Sequence, residues 1–498
     1  MTGALDIAPN TDAVTVINAA IAATTIGGTV FLKPGVYTLN SPILLNVDGV
    51  KLCGSGVSDV INNLGTQLLV NGNFNGVTIT GRSSELRDVL LLAKNPQTSG
   101  IGVLVSAYNV RITRVNIGSV QNVQHFFIGM EMDGNSKYSF ASDMIISNCI
   151  SKGIYVTGAA NNRTISRVSI VNWGANIFTN NPDGFYLDTS FGGDFFTDIS
   201  VATCGIGLHI ATGNTQTLFE EYFLHFDVVN NWGQGVVITC ASGGRVTDMV
   251  FVDLYCATNA QAAASTVPGL AISATGGSIS SLRFIGGEIS NHPNEGLFIG
   301  PTTGAGDTFT AEIDMLGVSI HDNNIGNTTK TYDGFGAIAL AGVYVNASNC
   351  ILKIFGGELD NPGTGTAGGN PGHQSGLIVS RAGDVRIIFV ELSRNQSAPF
   401  GDASGGKTRV IYCHGYTPFA RLAITVGSSP FVYQNTDPFP ENICVTGGTV
   451  SQVAVSRDNV TYDNLYTTTG CQVHLAKGDY VKVTYSVLPT MTKYGLEA

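Results

Sequence analysis

One short pattern, glycine–apolar–any–apolar, recurs eleven times in order along this chain. The copies are Gly76-Val77-x-Ile79, Gly102-Val103-x-Val105, Gly129-Met130-x-Met132, Gly153-Ile154-x-Val156, Gly184-Phe185-x-Leu187 and Gly207-Leu208-x-Ile210. They continue as Gly235-Val236-x-Ile238, Gly269-Leu270-x-Ile272, Gly296-Leu297-x-Ile299, Ala337-Ile338-x-Leu340 (alanine for glycine) and Gly376-Leu377-x-Val379. Apolar residues one apart lie on the same side of an extended strand. The stretch from Gly269 to Gly296 displays the full unit: a strand, the glycine turn Gly276-Gly277, a second alternating strand 282–289, and the polar turn 290–294. Spacings run from 23 residues (184 to 207) to 41 (296 to 337), so the longer ones need inserted loops. Such strands cannot bury their apolar side alone, and each coil must stack on its neighbours. The pattern therefore predicts an all-β fold, a solenoid of short parallel strands.

Composition agrees with that expectation. Glycine supplies 62 of 498 residues and charged residues only 12%, against about 25% charge in ordinary chains. The net charge of −11 and the lack of a Lys/Arg cluster argue against nucleic acid and anionic membrane as partners. No stretch reaches the roughly 20 apolar residues of a membrane span. The nine cysteines are odd in number and show no CxxC or zinc spacing. They read as small buried hydrophobes of a reduced compartment. His209, His225 and His321 lack metal-ligand spacing, and neither metal nor cofactor is expected. Met1-Thr2-Gly3 opens no signal peptide.

Taken in order, residues 10–24 read as a helix, with Asn10 or Thr11 as its cap and Val14, Ile17, Ala20 and Ile21 as its apolar stripe. A helix there lids the open end of a strand stack. The run Gly27 to Leu39 and the run Asp48 to Gly56 follow it. Together these three features resemble the N-terminal signature of the pectate-lyase-like right-handed parallel β-helix superfamily. Within it, the chain is similar to the receptor-binding tailspikes of tailed bacteriophages over residues 10–415. That resemblance implies a homotrimer that degrades bacterial capsule or O-antigen at the cell surface. It also implies assembly in the host cytoplasm and attachment to the phage tail or baseplate through an N-terminal region not present here. The domain expectations are a cap with first strands (1–60), a right-handed parallel β-helix (61–415), a linker (416–440) and a small C-terminal β-sandwich-like module (441–498). The last would clamp or cap a trimer, or bind carbohydrate.

Alignment of the second strands by their apolar residues predicts an outward acidic column: Asp227, Asp253, Glu288, Ser319, Glu358 and Glu391. Coils about 4.8 Å apart would make Asp253 and Glu288 direct neighbours, with Glu358 two coils from Glu288. Paired carboxylates suit glycoside hydrolysis, which keeps one acid protonated and the other ionised. Asn181-Pro182-Asp183-Gly184 is similar to part of the polygalacturonase motif, which makes Asp183, and nearby Asp188, candidate catalytic carboxylates. Proline in place of threonine, no following Asp-Asp pair and the missing Gly-His-Gly and Arg-x-Lys depart from that family. Trp173 and Trp232, in matching Asn-Trp-Gly turns, with Tyr255, Tyr186 and His321, are candidate sugar contacts. Hydrolysis of surface polysaccharide is the first expectation. Uronate β-elimination and binding without catalysis are the alternatives.

Overall fold

The computed structural model describes residues 5–7, 13–57, 65–118, 126–172, 182–261, 267–301, 310–323, 329–332, 336–339, 341–360, 375–392, 395, 400–411, 413, 422–436 and 440–495. They form two compact units, 1–385 with 394–408 and 386–393 with 409–498.

The first unit is a parallel β-helix. Ten of the eleven pattern copies are strands of one 13-stranded parallel sheet, here the first sheet. Their leading glycine answers a close approach between coils. A Cβ on Gly102, Gly129 or Gly153 would stand 2.5–2.6 Å from the carbonyl oxygen of the next coil's glycine. The copy at Ala337 differs. Gly336–Ala339 pairs antiparallel with Thr329–Tyr332, and the strand in the sheet is Ala341–Asn346, whose Gly342-Val343-x-Val345 has the same form. Two copies within ten residues look alike, and periodicity cannot choose between them.

Each coil then runs through a longer strand that bends once, giving a second sheet before the bend and a third after it. In Val250–Ala257 the part before the bend pairs with 283–285 and the part after it with 288–290. The bend residue takes a left-handed φ in coil after coil: Asp88, Arg114, Asp143, Arg167, Asp198, His225 and Asp253 lie between +50° and +59°, then Gly286, Gly317 and Gly356 at +66° to +67°. The charges alternate in sign. Arg114 forks onto Asp88 at 2.6 and 2.9 Å, and Arg167 onto Asp143 at 2.6 and 2.9 Å. His225 lies between Asp198 (3.3 Å) and Asp253 (3.4 Å). A left-handed residue other than glycine costs about 1–2 kcal/mol, and the side-chain ladder offsets part of that at each corner.

Inside the stem, Phe223, Phe251 and Phe284 stack at 4.5 and 4.9 Å, each contributing about 1.5–3 kcal/mol by burial. A ladder of buried amides closes the turn after the third sheet. Asn172 accepts from the Cys149 amide (2.8 Å), Asn231 from Cys204 (2.8 Å), Asn259 from Asn231 (3.0 Å) and Asn323 from His292 (3.2 Å). Under the turn after the first sheet lies a wholly buried stack, Arg163, Asp194 and Glu221. The helix Ala13–Ala23 buries Val14, Ile17, Ala20 and Ile21 as expected. Its Asn18 donates to Pro42 O (3.1 Å) and accepts from Leu44 N (2.9 Å), covering the end strand of the first sheet. The expected caps Asn10 and Thr11 lie outside the described residues.

The second unit contains two four-stranded antiparallel sheets packed as a sandwich. Ile443, Val445, Val473, Leu475 and Met491 of one meet Val453, Val481 and Val483 of the other. The stretch read as linker supplies an edge strand to each, Leu422–Ile424 and Phe431–Gln434. Both are three or four residues long, too short for alternation to register. All nine cysteines are free, and eight are buried.

Candidate active site on the first sheet

The outward position of the first sheet is the unspecified residue of the pattern. Over four successive coils it carries Glu131, Tyr155, Tyr186 and His209, in register. Lys152 and Asp183, also in register, flank this column on one side. Asp188 flanks it on the other, accepting a 2.6 Å hydrogen bond from Tyr155 Oη. Asp183 Oδ2 is 3.1 Å from His209 Nδ1. Tyr155 and Tyr186 meet edge to face at 5.4 Å, as do Tyr186 and His209 at 4.7 Å. Lys152 Nζ stands 5.0 and 4.7 Å from the two tyrosine ring centres.

All seven side chains are half-buried. Partial desolvation works on their acidities. Burial, then the neighbouring Asp133 and Asp188, push the Glu131 carboxyl above the usual carboxylate range, with Lys152 opposing. Burial followed by the neighbouring carboxylates pushes Tyr186 up to about 12, and burial with the Asp188 hydrogen bond raises Tyr155 further. Three carboxyl groups, one of them shifted toward its protonated form, an imidazole and an amine thus share one face, a set suited to proton transfer.

Of the sequence candidates, Asp183, Asp188 and Tyr186 come together here. Glu131, Lys152, Tyr155 and His209 were missed. Their signal is the unspecified place of the repeat itself, where four consecutive copies read Glu, Tyr, Tyr, His before reverting to Val237.

Of the remaining candidates, Asp227, Tyr255, Glu288, Glu358 and His321 lie on the outer face of the third sheet. Asp227, Tyr255, Glu288, Ser319 and Glu358 form one column in register. Asp253 does not belong to it. It is a bend residue whose in-register neighbours are His225 and Gly286, so the expected Asp253–Glu288 adjacency fails and Tyr255 takes that place. A slip of two residues keeps every side chain on its face, so alternation cannot detect it. Ser290 donates to Glu288 (2.5 Å), Ser319 donates to Glu358, and His321 lies 3.4 Å from Glu288 and 2.9 Å from Asp322. Burial raises Asp227, opposed by His225. Trp232 is half-buried in the turn after Asn231, Trp173 lies outside the described residues, and Glu391 falls in the second unit. Among the described residues no cluster of three or more His, Cys, Asp or Glu could hold a metal ion, and no helix is long and apolar enough to cross a membrane.

No protein-family model matches the chain, and no curated protein matches it in sequence. Solved structures do match. The tailspike of E. coli bacteriophage HK620, in complex with a pentasaccharide, aligns over 99% of this chain and 91% of its own, at 11% identity and a TM-score of 0.50. The likeness is one of fold, the parallel β-helix described above. Other matches to this β-helix are the mannuronan C-5 epimerase A-module of Azotobacter vinelandii (15% identity, 84% of this chain and 98% of that one, TM-score 0.47). An α-1,3-glucanase of Streptomyces thermodiastaticus also matches (13%, 84% and 69%, 0.45).

Proposed function

We propose that the chain cleaves bacterial surface polysaccharide, capsule or O-antigen, by acid/base glycoside hydrolysis on the outer face of the first sheet. The observation that carries this reading is Glu131, whose carboxyl burial and like charges hold toward its protonated form, as a general acid requires. Asp188 stands two coils along and two residues past the position in register with Glu131. The two are therefore not the adjacent ~5 Å pair of a retaining enzyme, and the wider ~6.5–9.5 Å spacing of an inverting pair, with room for water, is the closer fit. Glu131 protonates the leaving oxygen, Asp188 takes the proton of the attacking water, and Tyr155 holds Asp188 in place. The tyrosine edges line the sugar path.

A second reading, β-elimination at a uronate, is favoured by one contact: Asp183 orients His209 as a base, with Lys152 available to neutralise the carboxylate. The purified protein, incubated with capsular polysaccharides, separates the two. New reducing ends without absorbance in the unsaturated-uronate band support hydrolysis, and both signals together support elimination. Glu131→Gln is expected to abolish cleavage while Glu288→Gln keeps it; the reverse result moves the centre to the third sheet. On the same reading the chain is a homotrimeric spike of a phage virion, which the molar mass in solution tests.

A further inference from the structure

Along the turns that follow the first-sheet strands of three successive coils lies an open cavity of about 480 Å³, lined by Thr80, Arg82, Ser106, Ala107, Tyr108, Gly134, Asn135 and Lys137. Its size falls within the ~300–1,000 Å³ of small-molecule sites. Its lining brings two cations together. The net charge is −11, and Arg87, Arg114, Arg163 and Arg167 all sit against carboxylates. Arg82 and Lys137, like Arg111, Arg245 and Arg283, form no ion pair among the described residues, but these two line the same cavity. Two acids bonded to lining residues accept hydrogen bonds from neutral groups rather than from either cation. Asp48 accepts the Arg82 amide N–H at 2.8 Å. Asp133 accepts the Ser106 hydroxyl at 2.6 Å and the Asn135 amide N–H at 2.8 Å. Tyr108 is 46% exposed, its ring set by an edge contact to Tyr138 at 6.2 Å, and so offers a face to a ligand.

Two cations without an ion pair, the Thr80 hydroxyl, the Ser106 hydroxyl and Asn135 amide already joined to each other at 3.2 Å, and an open aromatic face match a sugar with an anionic group. Neutral sugars would leave the cations unanswered, and a flat aromatic partner would leave the hydroxyls and amide unanswered. We propose that this cavity is a glycan subsite for a sugar residue bearing a carboxylate, which Arg82 and Lys137 hold while Ser106, Thr80 and Asn135 meet its hydroxyls. Asp133 joins the cavity to the candidate centre: it is tied to Ser106 at the cavity wall and is one of the charges that raise Glu131. A bound chain therefore runs from the cavity toward Glu131. The inference rests on the reading of the protein as glycan-acting, but not on whether or where a bond is cut.

The test is binding of the full chain to a printed array of bacterial oligosaccharides, each acidic member paired with its carboxyl-reduced form and phosphorylated members as a separate arm. Binding is expected on carboxylated members and at least ten-fold weaker on their reduced partners. Arg82→Ala/Lys137→Ala, at exposed positions, is expected to fall to the reduced-partner level with its melting temperature unchanged. Equal signals within pairs, binding confined to phosphorylated members, or an unaffected double variant would each overturn the subsite. Glu131→Gln is expected to keep full array binding. Cleavage lost in that variant alongside an unaffected Arg82/Lys137 variant removes the subsite and leaves the catalytic reading standing; the opposite pattern does the reverse.

Discussion

Asp194→Asn and Glu221→Gln perturb one buried stack in opposite ways. Arg163, Asp194 and Glu221 are all inaccessible to solvent. Asp194 accepts from the Arg163 backbone amide (2.7 Å), from its Nε (2.8 Å) and from Ser190 (3.0 Å), and pairs with Nη2 at 2.6 Å. Asparagine there leaves a guanidinium buried without its counterion, a loss of about 3–5 kcal/mol. Glu221 faces the other way energetically. Burial, then the like charge of Asp194, push its carboxyl well above the usual range, with Ser190 and Arg163 opposing. Neither of its oxygens meets a well-aligned donor. The folded stem thus keeps a proton that the unfolded chain releases above pH ~4.3. Because the folded value is raised, stability falls as pH climbs from there toward the folded value, by about 1.4 kcal/mol per pH unit. Glutamine imitates the protonated acid and removes that slope. Guanidinium unfolding midpoints and unfolding rates at pH 5 and pH 8 are the assay. Asp194→Asn should be weaker than wild type at both; Glu221→Gln should match wild type near pH 5 and exceed it at pH 8. A Glu221→Gln loss at pH 8 as large as that of Asp194→Asn would refute the reasoning, since it would mean Glu221 is ionised and shares Arg163.

Four further outcomes are expected. Cleavage should decline on the alkaline side as Glu131 loses its proton, above the usual carboxylate range because its value is raised, and Glu131→Gln should abolish cleavage without changing the circular dichroism. His292, buried and bonded to Asn259 N (3.2 Å) and Cys256 O (3.0 Å), is pushed down to about 4 by burial. The unfolded imidazole titrates near 6.5, so stability should fall as pH drops from there toward about 4, and His292→Asn should flatten that slope in thermal melts. Gly153→Ala would set a Cβ 2.5 Å from Ile170 and 2.6 Å from Gly184 O; equilibrium unfolding should register about 1–3 kcal/mol of overpacking. Asp143→Lys puts three cations in a row at the bend; the one pair it removes, to Arg167, is solvent-exposed, so its loss should cost only about 0.2–1 kcal/mol, and melts should show the loss shrinking with added salt.

The solenoid was legible because its physical requirement repeats. Successive coils need two inward apolar residues and, in most of them, a glycine where the next coil's carbonyl passes, and that demand writes itself into ten strands of one sheet. The capping helix was legible for the same kind of reason, a four-residue apolar stripe with one side to bury. What could not be read was whatever has no period. The bend residue is Asp, Arg, His or Gly by turns, because a left-handed φ and a neighbour of opposite charge are satisfied by several side chains. The hairpin at 329–339 and the short edge strands 422–424 and 431–434 carry too few residues to distinguish pairing partners.

The candidate site shows why inward and outward positions differ as evidence. Inward residues answer to packing, so their chemistry is constrained and their register is what matters; a two-residue slip leaves them all apolar and goes unnoticed, which is how Asp253 was aligned with Glu288 when Tyr255 stands there. Outward residues answer to water unless something else selects them. In the first sheet the outward place holds Leu44, Thr78 and Leu104 in the early coils and Val237 and Ala271 in later ones. Between them it holds Glu131, Tyr155, Tyr186 and His209, each half-buried, the last three in contact with another titratable group and Glu131 under the charges of Asp133 and Asp188. Folding does not require that run, since the coils on either side stack without it, and the partial burial of Glu131 beside Asp133 and Asp188 costs stability. A stretch that the stem tolerates at a cost, on the face where four coils bring their side chains together, is where chemistry on a long ligand has room to act.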